Sequence, residues 1–204
     1  MSRFGIPDGG TRRLVSVGPI AALLAFACGP AGRPAEVLSA RDVACSEGVD
    51  LVAACTPTGV EICFNAIDDN CNGVIDEGCG LQTGILQFTI AWSGAADVNL
   101  ILETPGKERV PGGGGEAASK TCHAGPDCPG DDGCHGQNVE NIYCEGEDPA
   151  PGRYTVHIVL VDLHGAYAPV PVRAGVRLGS RSIGFAVTLA PDDESRKVFS
   201  FDVP

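Results

Sequence analysis

Twelve residues, from Asp68 to Cys79, constrain this chain more than any other segment. Side chains with oxygen atoms stand at the first, third, fifth and ninth places of the segment, and Gly73 stands at the sixth. Such spacing turns the oxygens of alternate residues inward, and the glycine permits the sharp turn that brings a main-chain carbonyl to the same point. The segment therefore predicts a loop around a hard divalent cation, with Ca²⁺ as the expected ion.

The positions within this loop identify the expected ligands. Six residues are predicted to supply oxygen: Asp68, Asn70, Asn72, Val74, Asp76 and Glu77. Val74 would contribute its main-chain carbonyl, and Asp76 would act directly or through a water molecule. Cys79 stands at the twelfth place, where an acid is usual, so Glu77 is expected to take that role, with Asp69 just outside the ligands.

The two asparagines of the loop limit its expected affinity and metal preference. Asn70 and Asn72 stand where aspartate is common, and each lost charge weakens the attraction for Ca²⁺. We therefore do not expect submicromolar binding. Copper is disfavoured because it prefers His, Met or thiolate, and no His lies between residues 29 and 122. The alternative is an Asp/Asn-Gly turn held by disulfides without an ion.

Ten cysteines predict a disulfide-bonded protein. Apart from Cys28, they fall in two clusters: Cys45, Cys55, Cys63, Cys71 and Cys79, and then Cys122, Cys128, Cys134 and Cys144. The last four cysteines of the first cluster and the four of the second are even sets, but the pairing within each set is not readable from sequence. Zinc is the alternative at Cys122-His123 and Cys134-His135, with Cys128 and Cys144, and disulfides are the better explanation outside the cytosol.

The first 27 residues predict an export signal. A positive start is followed by an apolar run over residues 14–27 that is too short to span a membrane. Cys28 comes next and is a candidate for lipidation, with residues 28–44 as a flexible tether. Alternatively, Cys28 stays free to form a disulfide, which would allow five bridges. We expect an outer-membrane or cell-surface lipoprotein, or otherwise a periplasmic or secreted protein.

Charge restricts the partners of the chain. Its net charge is −12, and loss of residues 1–27 removes three Arg and one Asp, which makes it −14. Nucleic acid and anionic membrane surfaces are therefore not expected as partners, and membrane contact is expected only through a lipid anchor. A divalent cation is compatible with this charge.

From residue 84 onward, apolar residues alternate with polar ones in short segments separated by Gly, Pro and Asp. The predicted strands cover residues 86–92, 98–102, 139–143, 154–161, 170–178, 183–189 and 199–203. We predict a mainly β fold: an antiparallel β-sandwich over 84–204, preceded by a Cys-rich metal-binding module over 45–80.

Two parts of the chain resemble known families. The motif Cys63-x-Asn65-x-Ile67-Asp68-Asp69-x-Cys71-x-Gly73-x-x-Asp76-Glu77-Gly78-Cys79 resembles the MopE-type metal-binding repeat of bacterial surface proteins and lipoproteins. The short motifs Asp97-Val98-Asn99-Leu100, Glu140-Asn141-Ile142 and Pro151-Gly152-Arg153-Tyr154 resemble the YfaP-like β-sandwich domain of envelope and secreted proteins. A second cation could be held by Asp97, Asn99 and Glu140, and ordinary strand-end hydrogen bonding is the alternative.

The sequence favours binding or structure over catalysis. It has no Gly-x-Ser-x-Gly, no His-Glu-x-x-His and no phosphate-binding loop. We expect a cell-envelope protein, not an enzyme, with a Ca²⁺-binding loop and a β-sandwich. The alternative is a recognition module in which residues 103–150 contact an extracellular protein or glycan and the acidic loop is only a disulfide turn.

Overall fold

A computed structural model describes residues 41–57, 59–113, 119–125, 137–146 and 149–204. These residues form β-strands and one 3₁₀ turn at Asp192–Glu194, and no α-helix occurs among them. The strands are Arg41–Cys45 (β1), Val49–Val52 (β2), Leu86–Ser93 (β3), Asp97–Glu103 (β4), Arg109–Pro111 (β5), Cys122–Ala124 (β6), Gln137–Cys144 (β7), Gly152–Asp162 (β8), Val170–Leu178 (β9), Arg181–Leu189 (β10) and Arg196–Val203 (β11).

The strands form two antiparallel sheets. The five-stranded sheet has the order β1-β11-β8-β4-β5, and the six-stranded sheet has the order β2-β10-β9-β3-β7-β6. Each strand pair is antiparallel. The predicted fold class is confirmed, and each of the seven predicted strands corresponds to a strand of the structure. Within the described residues, no helix is long and apolar enough to cross a membrane.

The core lies between the two sheets and is filled by the alternating apolar residues. Phe185 of β10 stacks on Phe199 of β11 with ring centroids 4.0 Å apart, which joins the six-stranded sheet to the five-stranded one. Phe88 of β3 stacks on Phe201 of β11 in the same way, at 6.2 Å. Burying one such side chain contributes about 1.5–3 kcal/mol relative to leaving it exposed. Apolar burial between the sheets is therefore the main source of stability of the sandwich.

Two edge strands come from residues that the sequence assigned to the tether and the Cys-rich module. β1 pairs with β11, with Cys45 opposite Phe199, and β2 pairs with β10, with Leu51 opposite Phe185. The chain thus crosses from one sheet to the other before the acidic loop begins. The sequence analysis did not predict β1 and β2, because both strands are short and their alternation is too weak to recognise. The expected domain division at residues 80–84 stays a prediction.

The outer face of the six-stranded sheet is covered by the described residues of the segment 53–81, which are 53–57 and 59–81 and which we call the Cys-rich segment. Phe64, Ala66 and Leu81 of this segment pack in one apolar cluster with Ala91 of β3 and Val139 of β7. The backbone of the Cys-rich segment also lies close to the sheet. A Cβ added at Gly175 of β9 would lie 2.5 Å from the carbonyl oxygen of Ala66, so the sheet needs glycine there. The Cys-rich segment is therefore packed on the sandwich.

Candidate metal centre

Two disulfides hold the Cys-rich segment. Cys55 is bonded to Cys71 and Cys63 to Cys79, with Cα atoms 5.2 Å and 5.4 Å apart. The two bridges overlap along the chain, so neither half of the segment can open alone. In the chain-entropy model, a bridge that closes a loop of about 15 residues contributes about 3 kcal/mol. These bonds confirm that this set of four cysteines pairs within itself.

The other cysteine predictions have separate outcomes. Cys122 and Cys144 face each other on β6 and β7 and are bonded, and Cys45 is disulfide-bonded as well. Disulfides account for all the cysteines in the described part of the chain. The predictions for Cys28, Cys128 and Cys134 fall outside the described residues and stay predictions.

Asp68 lies beneath the loop and holds its turn together. Its side chain is 1% exposed; Oδ1 accepts the N–H of Asn72 at 2.9 Å, and Oδ2 accepts the N–H of Gly73 at 2.8 Å. Oδ2 also accepts the hydroxyl of Ser182, from β10, at 3.0 Å. Gly73 has φ +87°, and a Cβ there would lie 2.1 Å from the carbonyl oxygen of Ser180. Glycine is thus required both by the turn and by the sheet below.

Two further aspartates hold the chain that precedes the loop. Asp76 is fully buried, and its two oxygens accept the N–H groups of Asn65 at 3.1 Å and Ala66 at 3.0 Å. Asp69 Oδ2 accepts the N–H of Ile62 at 3.2 Å and the amide of Asn65 at 2.8 Å. Burial raises the pKa of Asp76 to about 6, although the backbone N–H groups act in the opposite direction. Both carboxylates are therefore engaged with protein donors.

Asn70 and Asn72 meet Glu77 at the open side of the loop. The side-chain amides of both asparagines donate to Oε1 of Glu77. Their own oxygens accept N–H groups two residues further on, Asn70 Oδ1 from Asn72 at 3.0 Å and Asn72 Oδ1 from Val74 at 2.8 Å. These hydrogen bonds form Asx turns, in which an asparagine side chain accepts a backbone N–H two residues further along the chain, and they shape the backbone of the loop. The structure thus brings three of the predicted ligands together.

Glu61 joins this group, and the sequence analysis did not assign it as a ligand. Its Oε1 accepts the N–H of Asp76 at 2.9 Å. Its Oε2 and the Oε2 of Glu77 are both buried without a hydrogen-bond partner. Burial, and then the negative charges of Glu77 and Asp69, raise the pKa of Glu61 to about 7. Its place two residues before Cys63, where the repeat begins, was the only signal in the sequence.

The donor set is suited to a hard cation. In the described part of the chain, no three His, Cys, Asp or Glu side chains lie close enough together to hold a metal ion. An ion here would therefore need amide oxygens as well as the carboxylates of Glu61 and Glu77. Two buried carboxylate oxygens without donors fit such an ion. Thiolate ligands are not available, because all four cysteines of the Cys-rich segment are in disulfides.

The predicted second cation site has a different arrangement. Glu140 lies on β7, and its Oε2 accepts the N–H of Leu100 in the other sheet. Asp97 is half-buried at the start of β4, and Asn99 is exposed. The hydrogen bond of Glu140 agrees with the alternative, in which this motif joins strands. A second cation at these residues stays a prediction.

Comparison with known proteins bears on the loop. Residues 45–77 match the family model Cu-binding_MopE, described as "Putative metal-binding motif". The chain carries this motif. The match begins at Cys45, before the resemblance read from the sequence, and ends at Glu77, so it includes every residue that meets at the open side of the loop. No curated protein and no solved structure matches the chain. The resemblance of the sandwich to the YfaP-like domain stays a prediction.

Proposed function

We propose that the protein binds Ca²⁺ through the open side of the loop, as an exported cell-envelope protein with a structural or binding role. The carboxylates of Glu61 and Glu77 and the amide groups of Asn70 and Asn72 are the ligand groups. The observation that carries this proposal is the pair of buried Oε2 atoms without hydrogen-bond donors on Glu61 and Glu77. The match to a metal-binding family supports it independently.

The physical argument concerns two carboxylates that repel each other. A buried carboxylate oxygen without a donor is costly, and a second negative charge nearby adds to the cost. Either a proton on Glu61 or a cation between Glu61 and Glu77 removes it. Since the pKa of Glu61 is about 7, protonation cannot serve at higher pH. A divalent cation between the two carboxylates can remove this cost at higher pH, and its binding would displace the proton from Glu61.

Calcium is the ion that suits these ligands best. Carboxylate and amide oxygens are hard donors, which favours Ca²⁺ over copper or zinc. Only two carboxylates contribute charge, so the expected dissociation constant is about 10⁻⁴–10⁻³ M, as in extracellular calcium modules. Asp68 and Asp76 were predicted as ligands from the sequence. In this proposal they accept backbone N–H groups and hold the loop in shape, and Glu61 acts as a ligand in their place.

The test is isothermal titration of the oxidised protein with CaCl₂ at pH 7.5, repeated with MgCl₂ and CuSO₄. We expect Ca²⁺ uptake with one site, weakened at least tenfold by Glu61→Gln or by Glu77→Gln. Glu47→Gln is the matched control, because Glu47 is an exposed acid in the turn between β1 and β2. No heat from Ca²⁺ at millimolar concentration, or equal affinity in all three variants, would refute the proposal.

Export and lipid attachment at Cys28 belong to the same proposal. Disulfides persist in oxidising compartments, and the described residues contain three complete bridges. The hydrophobic start of the chain and the cysteine at position 28 support a lipid anchor. Intact-mass spectrometry of the native protein would give the cleavage site and any diacylglyceryl addition. A mass with residues 1–27 retained would contradict export by this signal.

A further inference from the structure

The loop that carries the metal ligands is fastened to the sandwich by side chains far away in sequence. Ser182 of β10 donates its hydroxyl to Asp68 Oδ2, across a separation of 114 residues. The same oxygen of Asp68 accepts the N–H of Gly73 at 2.8 Å. Ser182 therefore acts on the carboxylate that shapes the turn containing Asn70 and Asn72.

A second contact fastens the other end of the turn. Gln87 of β3 is fully buried, and its Nε2 donates to the carbonyl oxygen of Ile75 at 3.0 Å. Gln87 is itself held by Thr89 and Asn141, whose side chains are also buried and hydrogen-bonded to each other at 2.9 Å. Because this network holds Gln87 in place, a shift of the Ile75 carbonyl would break its hydrogen bond to a donor that cannot follow it.

The loop approaches the sheet closely at two glycines. A Cβ at Gly73 would lie 2.1 Å from the carbonyl oxygen of Ser180, and a Cβ at Gly175 of β9 would meet both Ala66 and the side chain of Ile75. Ile75 is 1% exposed. The turn is thus fixed at Asp68, Gly73 and Ile75, and the ligands Asn70 and Asn72 lie between these points.

We propose that the β-sandwich is part of the metal centre: Ser182 and Gln87 are positioning residues that hold the loop in its ion-binding form. This inference rests on the proposed function. It has a reciprocal consequence, because two coupled equilibria must affect each other equally. Ion binding strengthens the docking of the loop on β9 and β10, and weaker docking lowers the affinity for the ion.

The test compares Ser182→Ala with two matched variants, Ser182→Thr and Ser200→Ala. Ser182→Thr retains the hydroxyl, and Ser200 is a half-buried serine on β11 in the opposite sheet. Titration with CaCl₂ at 25 °C gives Kd, and thermal melts with CaCl₂ and with EDTA give the rise in Tm due to the ion. We expect Ser182→Ala to weaken binding about fivefold or more and to reduce that rise, with Ser182→Thr restoring both.

Two results separate this inference from a merely structural role. If Ser182→Ala lowers Tm equally with and without Ca²⁺ and leaves Kd unchanged, Ser182 only stabilises the fold and the inference is wrong. Ser200→Ala should change neither Kd nor the rise in Tm. If the unchanged protein takes up no Ca²⁺, the proposed function is wrong, and the present inference, which rests on it, is wrong as well. If it binds and Ser182→Ala binds equally well, only the present inference fails.

Hydrogen exchange on the unchanged protein gives a measurement that needs no variant. Because the outer face of β9 and β10 carries the loop, Ca²⁺ should slow amide exchange in Val170–Leu178 and Arg181–Leu189 as well as in the loop. Slower exchange confined to residues 61–79 would overturn the coupling between ion and sheet.

Discussion

The sandwich and the Cys-rich segment lie against each other but are stabilised by different forces. The sandwich buries alternating apolar side chains between two sheets, and aromatic pairs such as Phe185 and Phe199 join them. The Cys-rich segment has few apolar residues in its core and depends on two disulfides and on buried aspartates that accept backbone N–H groups. Regular periodicity thus specifies the first region, and specific polar contacts specify the second.

This difference explains why the acidic side chains of one short loop have different roles. A segment that cannot bury enough apolar surface must be stabilised in other ways, here by hydrogen bonds from its backbone N–H groups to buried carboxylates. Asp68, Asp69 and Asp76 serve that need, and each is nearly inaccessible to solvent. Glu61 and Glu77 keep one oxygen each without a donor. The carboxylates that build the loop and those available to an ion are therefore different residues.

The largest expected effect is in the core of the sandwich. Phe199→Ala should lower the free energy of unfolding by about 3–5 kcal/mol, because it removes a buried ring and leaves a cavity beside Phe185. Urea unfolding followed by far-ultraviolet circular dichroism measures this. Ser200→Ala, at the next residue of β11, should change stability by less than about 1 kcal/mol. A loss below about 1 kcal/mol for Phe199→Ala would contradict the assignment of stability to apolar burial.

Removing one disulfide from each region should lower stability in both cases, but only the bridge in the Cys-rich segment should affect ion binding. Replacing both Cys63 and Cys79 by Ser removes a bridge with a sequence separation of 16, and should cost about 3 kcal/mol and weaken Ca²⁺ binding at least tenfold. The same double replacement at Cys122 and Cys144, with a separation of 22, should lower stability similarly but leave Kd unchanged. Calorimetric titration at low temperature measures the Kd for Ca²⁺ of both variants. Equal losses of Ca²⁺ affinity in the two variants would contradict the different roles of the two regions.

The smallest expected effect is on the pH dependence of stability. The pKa of Glu61 rises from 4.5 to about 7 on folding, so the folded form without metal holds a proton that the unfolded chain has lost. Stability without metal is therefore fully present below about pH 4.5 and falls as pH rises toward 7. Asp76, whose pKa rises from 3.8 to about 6, acts in the same direction. Because solvent screens Glu61, we expect a loss of about 1 kcal/mol.

Thermal melts in EDTA between pH 5 and pH 7.5 test this effect. Tm should decrease with pH for the unchanged protein, and the decrease should be smaller for Glu61→Gln, which cannot titrate. Saturating Ca²⁺ should raise Tm more at pH 7.5 than at pH 5, since protons compete for the same oxygen atoms. A Tm that rises with pH in EDTA would contradict the raised pKa of Glu61.

Much of the fold could be predicted because its signal is local. Alternation over 86–92 or 183–189 requires only that neighbouring side chains point to opposite faces of a strand. Shorter segments were not predicted. β1 and β2 have four or five residues each, and β5 and β6 have three, so pairing with distant strands decides their structure. Similarly, the loop was predicted from its spacing, but the role of Glu61 was not.

The sequence by itself determined that this chain forms strands after residue 84 and an oxygen-rich turn at 68–77, since both depend on the order of neighbouring residues. The tertiary structure decided where each carboxylate is directed. Backbone N–H groups and Ser182 satisfy Asp68, and the fold leaves the Oε2 atoms of Glu61 and Glu77 without a donor. Hydrogen-bond donors from distant parts of the chain compete for the same acceptors, and only the packed structure shows which acceptors they reach.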